Sequence, residues 1–92
     1  MSRSIHSPDH HKLCKLLIAA RKGAGITQAE LASRINRPQS FVAKYEGGER
    51  RIDVIEFIAL ARALRGDPRD MFDELVRSSK ADTSSHKQAR RR

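Results

Sequence analysis

The most constraining stretch of this chain runs from Thr27 to Gly48. Thr27 and Glu30 have the spacing of a capping box. The threonine oxygen takes a free N–H of the first turn, and the glutamate returns to the N–H of the cap. Ala29, Leu31, Ala32 and Ile35 give the following helix small and apolar faces. Asn36 suits a left-handed turn, where glycine often stands. Pro38 has no N–H to donate and fits the first turn of a further helix, about residues 38–46. Gly47-Gly48 stops that helix. The outcome is two short helices joined by a tight turn, the second with the amide of Gln39, the hydroxyl of Ser40 and the ammonium of Lys44 on its outer face.

Three more helices frame this pair. Ser7 is an N-cap with Pro8 and Asp9 behind it, and Leu13, Leu16, Leu17 and Ala20 make a stripe that ends near Lys22 and Gly23. Arg21 and Lys22 suit the negative end of the helix dipole. Asp53 and Glu56 form a second, weaker capping box for a helix over about 53–65. Its expected buried positions are Val54, Phe57, Ile58, Ala61 and Leu64. Gly66 ends it, Asp67 caps a fifth helix with Pro68 at its first position, and Met71, Phe72, Leu75 and Val76 are its apolar residues. Residues 1–7 read as a flexible start, 8–77 as one domain, and 78–92 as a disordered basic tail without periodicity.

Ninety-two residues hold one small domain plus tails, and only 4% of them are aromatic, so the core must be aliphatic. The net charge is +8. Half of it lies in residues 78–92, where five basic residues face Asp82 alone. Such a balance favours a polyanionic partner, nucleic acid before acidic membrane. Cys14 is the one cysteine, so there is no internal disulfide; it reads as an inert, structural thiol. No apolar run is long enough to span a membrane and no secretory segment is evident, which leaves the cytoplasm as the expected location and no membrane partner.

A helix carrying amide, hydroxyl and ammonium groups can read base edges in the DNA major groove. The segments Arg21 to Ala32 and Pro38 to Glu46, with Ile52 to Leu64 behind them, resemble the Cro/C1-type (XRE-like) helix-turn-helix family of phage and bacterial repressors. The resemblance covers about Leu13 to Leu75. It implies an all-α, compact five-helix Cro/repressor-like bundle that acts as a sequence-specific regulator of transcription on double-stranded DNA, read here as a repressor on a short palindromic operator.

The family pattern also implies residue roles. Gln28 would contact a phosphate and brace the third helix. Gln39 and Ser40 match the first base-reading positions. Ala43 would touch a thymine methyl, and Lys44 would reach a guanine edge or a phosphate. Arg50 and Arg51 follow Gly47-Gly48-Glu49 in a loop expected along the DNA backbone; the plainer reading is two exposed charges. Glu46 would pair with Arg21 inside the protein. Val42 and Tyr45 read as core, and Phe41 as either core or a ring against the DNA backbone. Two departures stand out: Pro38 where the family commonly has a Ser or Thr cap, and Asn36 where it commonly has Gly. A homodimer is expected, with Met71, Phe72, Leu75 and Val76 as part of its interface.

Other chemistries are weaker. His6, His10, His11 and Cys14 lie close in sequence, and His10 and Cys14 share a helix face, but no second ligand pair has structural-zinc spacing. They read as solvated histidines, so no metal and no cofactor is expected. Asp67, Asp70, Asp73 and Glu74 read as caps and a solvated face, and no nucleophile–base set suggests an enzyme. The alternative function is an antitoxin-like or adaptor module whose main partner is another, unidentified protein, with DNA binding for autoregulation.

Overall fold

The computed structural model describes residues 7–79. Five helices follow in order: α1 (Pro8–Gly23), α2 (Gln28–Arg34), α3 (Gln39–Glu46), α4 (Val54–Ala63) and α5 (Pro68–Ser78). The architecture is all-α, as the sequence patterns predict. The flexible start assigned to residues 1–7 and the basic tail assigned to 78–92 lie almost wholly outside the described residues.

Local chemistry sets the helix starts. Ser7 accepts from the N–H of His10, and both capping boxes close: Thr27 with Glu30, and Asp53 with Glu56. A cap of this kind is worth about 1 kcal/mol. Pro38 is the N-cap of α3 and offers no side-chain bond there, so α3 depends more on packing than its neighbours do. Asn36 takes φ 57°, the left-handed conformation that lets α2 stop and the chain turn within a few residues. At the end of α4 the left-handed residue is Arg65, φ 65°, with the Gly66 N–H reaching back to the Ala61 carbonyl. The helix itself ends at Ala63, and the left-handed position stands one residue before the glycine expected to mark it.

The core is aliphatic with three rings. Leu17 of α1, Leu31 and Ala32 of α2, Phe41, Val42 and Tyr45 of α3, and Phe57 and Leu60 of α4 with its C-cap Leu64 form one buried cluster, with Met71 of α5 packed partly against it. Burying one such large apolar side chain contributes about 1.5–3 kcal/mol. α2 packs chiefly on α3, α1 on α3 and α5, and α4 on α5 and α2. The Cys14 thiol donates to the Tyr45 carbonyl at 3.1 Å and fastens α1 to α3. Lys12 donates to the Ser78 carbonyl and fastens α1 to the end of α5.

Two expectations need correction, and one open alternative is settled. Val54 was expected inside but is 70% exposed. It is the first residue of α4, and the stripe that reaches the core starts one turn later, at Phe57, and includes the fully buried Leu60. His10 was read as solvated, yet it is buried beside Cys14. The i, i+4, i+7 positions His10, Cys14 and Leu17 are the buried face of α1; Leu17 belongs to the predicted stripe, and Leu13 and Ala20 of that stripe are partly buried against the core. Phe41, left open between core and DNA backbone, is core, with its ring edge-on to Tyr45.

Candidate nucleic-acid interface

The outer face of α3 is set by what its inner face buries. Phe41, Val42 and Tyr45 point into the core, which leaves Gln39, Ser40, Ala43 and Lys44 exposed on the other side. All four belong to the set expected to meet DNA. None of them is needed for packing, so the face is free for a partner.

Behind that face a polar network locks three helices together. Arg21 of α1 donates through Nε and Nη2 to the two carboxylate oxygens of Glu46, at 2.8 and 3.1 Å, and through Nη1 to the Ile26 carbonyl at 2.9 Å. The two side chains are only 12% and 7% exposed. The bond to Glu46 raises the Arg21 pKa further, so this guanidinium stays charged. Gln28 at the start of α2 donates to Glu46 at 2.9 Å, and Gln39 donates to the Gln28 oxygen at 3.3 Å. A chain of contacts thus runs Arg21–Glu46–Gln28–Gln39. It ties the first polar side chain of α3, through Gln28 of α2, to a largely buried ion pair between the last residue of α3 and α1. The Arg21–Glu46 pairing and the brace from Gln28 to α3 are as the sequence implied.

In the loop after α3 the two arginines are held differently. Arg51 is exposed. Arg50 is half-buried and gives both Nη atoms to Glu56, at 3.0 and 3.1 Å, while Nη1 also donates to the Arg51 carbonyl. Its guanidinium lies 4.7 Å from the centre of the Phe41 ring. Arg50 therefore first of all holds the loop against the start of α4. Glu56 also accepts from the Asp53 N–H and from Arg37, and these bonds, led by the one to Arg50, hold its carboxyl down at about 2. The sequence reading took Glu56 only as half of a cap and passed over Arg37. The two lie 19 residues apart, and no periodicity joins them.

Cys14 and Tyr45 are both withdrawn from chemistry. Burial pushes the thiol up from its ordinary value, which keeps it protonated and unreactive. Burial likewise raises the Tyr45 phenol, whose hydroxyl has no hydrogen-bond partner among the described residues. Among the described residues no cluster of three or more His, Cys, Asp or Glu could hold a metal ion, and no helix is long and apolar enough to cross a membrane.

A capped helix, a turn through a left-handed asparagine, and a second helix with a buried inner face and a free polar outer face define a helix-turn-helix protein. A family model described as "Helix-turn-helix" matches residues 17–71. The chain belongs to the XRE-like (Cro/C1-type) helix-turn-helix family, which places it among DNA-binding regulators of transcription. It is similar to the solved structure of an XRE-family like protein from Pseudomonas syringae pv. tomato str. DC3000. Identity is 46% and the TM-score 0.77, over 86% of this chain and 96% of that one. The restriction-modification controller protein C.AhdI from Aeromonas hydrophila is 30% identical with a TM-score of 0.66, over 72% of this chain and all of the other. The clp gene regulator ClgR from C. glutamicum shares the fold at 20% identity and a TM-score of 0.70, over 80% of this chain and 96% of that one. Comparison with curated proteins gives no match.

Proposed function

We propose that the protein is a sequence-specific regulator, acting as a repressor, that sets α3 in the major groove of a short palindromic operator. The observation that carries this reading is the exposed row Gln39, Ser40, Ala43 and Lys44 on a helix whose other face is core. Gln39 pairs its amide with an adenine edge, Ala43 meets a thymine methyl, and Ser40 and Lys44 add a hydroxyl and a cation. Gln28 and Arg51 take flanking phosphates, with Arg50 at the edge of the same surface. Repression follows from competition with polymerase for a promoter, and the protein works in the cytoplasm.

The palindrome calls for a homodimer. Val54 at 70%, Ile55 at 73%, Phe72 at 55% and Val76 at 48% exposure leave apolar surface on the adjoining α4 and α5. Val54, Phe57, Ile58, Pro68 and Phe72 line an apolar groove there. Part of the surface assigned to dimerisation from sequence, Phe72 and Val76, falls in this exposed set, whereas Met71 and Leu75 are half-buried. The same apolar surface suits the alternative, a heterologous protein partner.

The test is to expose sheared fragments of the source genome to the purified protein at about 0.15 M salt, where nonspecific phosphate attraction is weakened. Recovery of a few fragments sharing an inverted repeat supports the reading. Uniform recovery, or none, overturns it. Sedimentation that shows a monomer on the recovered fragment removes the dimer, and partner capture that survives Gln39→Ala favours the adaptor.

A further inference from the structure

Arg37 is the last residue before Pro38, the N-cap of α3. The geometry points to Arg37 as an additional phosphate-contacting residue of the interface, an inference that rests on the DNA-binding reading above. Its Nη2 donates to Glu56 Oε2 at 2.8 Å, and its guanidinium carbon lies 4.3 Å from the centre of the Phe41 ring. Arg50 occupies the same carboxylate and the same ring, at 4.7 Å. Two guanidiniums, one carboxylate and one ring thus form a single cluster at the junction of the α2–α3 turn, α3, the α3–α4 loop and the start of α4.

The two guanidiniums in this cluster are not held alike. Arg50 bonds both oxygens of Glu56 and also feels the Asp53 carboxylate, while the Asp53 N–H takes a further share of Glu56. A carboxylate offers about four acceptor positions. With Arg37 all of them are used. Arg37 is the less compensated of the two: it holds Glu56 by one bond only and keeps 39% of its side chain exposed. A single ion pair at that exposure adds little to stability. The same arrangement does orient a planar fork of donors: the ring fixes the guanidinium from one side and the glutamate fixes one of its nitrogens, leaving the other edge for solvent. A phosphate oxygen suits such an edge. Arg37 stands two residues before Gln39, so a duplex seated on α3 brings a backbone strand within its reach.

The experiment compares the wild type, Arg37→Ala, Arg37→Lys and Arg62→Ala, an exposed arginine in the last turn of α4, on an operator fragment recovered as above and on a random duplex of equal length. Affinity is measured across a salt series, and folding is followed by circular dichroism. Loss of one phosphate contact lowers the slope of log K against log salt by about 0.9 and weakens both duplexes alike. Arg37→Ala is expected to show both effects at near-unchanged melting temperature. Arg37→Lys keeps the slope, because the charge remains, and Arg62→Ala changes nothing. An unchanged slope for Arg37→Ala beside a steep wild-type slope overturns the inference, even if affinity falls, since that outcome describes a structural residue. A wild type that binds neither duplex overturns the DNA reading itself, and so the two failures are distinct.

Discussion

Replacing Glu46 by alanine strands a guanidinium inside the domain. Arg21, 12% exposed, loses the acceptor for its Nε and Nη2 and keeps only the Ile26 carbonyl. Removing one partner of a pair this buried costs about 3–5 kcal/mol, because the remaining charge can be neither solvated nor neutralised. The Gln28 amide loses its acceptor too, at about 0.5–1.5 kcal/mol. Against a total stability of about 5–15 kcal/mol, the substitution brings the domain near the edge of folding. The assay is equilibrium urea unfolding of Glu46→Ala, Arg21→Met and the double variant. The double variant is expected to lose less than the sum of the two singles, with a coupling of about 1–3 kcal/mol, since it contains no stranded charge. Strict additivity, or a loss below about 1 kcal/mol in Glu46→Ala, would refute the reasoning. It would mean that water reaches Arg21 and that the pair is no more than a surface contact. The functional corollary is loss of DNA affinity in the fraction that stays folded, because Gln39 is oriented through Gln28 and Glu46.

Four further outcomes follow from the same structure. Glu56 has its carboxyl held at about 2 against an ordinary 4.5, so its contribution is complete above pH 4.5 and is lost as pH falls toward 2; the gap in melting temperature between wild type and Glu56→Gln should close over that window, and a gap that persists at pH 2 would contradict it. Because Arg37 and Arg50 are more than a third exposed, that contribution is on the order of 1–2 kcal/mol. Tyr45→Phe removes a buried hydroxyl without a partner among the described residues, so denaturation should find it neutral or up to about 1 kcal/mol more stable, and a loss above that would reveal a partner. Gly48, at φ +81°, should lose about 1–2 kcal/mol on change to alanine although nothing obstructs a Cβ. Gly23→Ala, equally open but without a positive φ, should gain about 0.4–1 kcal/mol in the same measurement.

Much of the fold is legible one turn at a time, because its punctuation is local. A capping box needs two residues three apart, a stop needs a glycine or asparagine, and a proline at a helix start acts on its own backbone. Ser7, Thr27 with Glu30, Asn36, Asp53 with Glu56, and Asp67 therefore mark their boundaries in the sequence itself. The Arg21–Glu46 pair was accessible only by family resemblance, since nothing local links residues 25 apart. The polar row of α3 was legible from its side-chain types.

Tertiary structure decided the rest. Periodicity gives the angle of a stripe but not how far the core extends along it, so Val54 lies beyond the core while Leu60 lies within it. The packing of α1 on α3 buried His10 and Cys14 together with Leu17, while Leu13 and Ala20 of the stripe are only partly buried. The cluster of Arg37, Phe41, Arg50 and Glu56 draws on four segments and exists only once α4 is docked behind α3. Charges on exposed loops carry no periodic signal, and their partners are chosen by whatever folding brings within about 3 Å. The sequence by itself thus determined which helices form and which face of α3 is polar, both consequences of short-range backbone and burial chemistry. Only packing determined which partner holds which arginine, because that choice depends on contacts between residues distant along the chain.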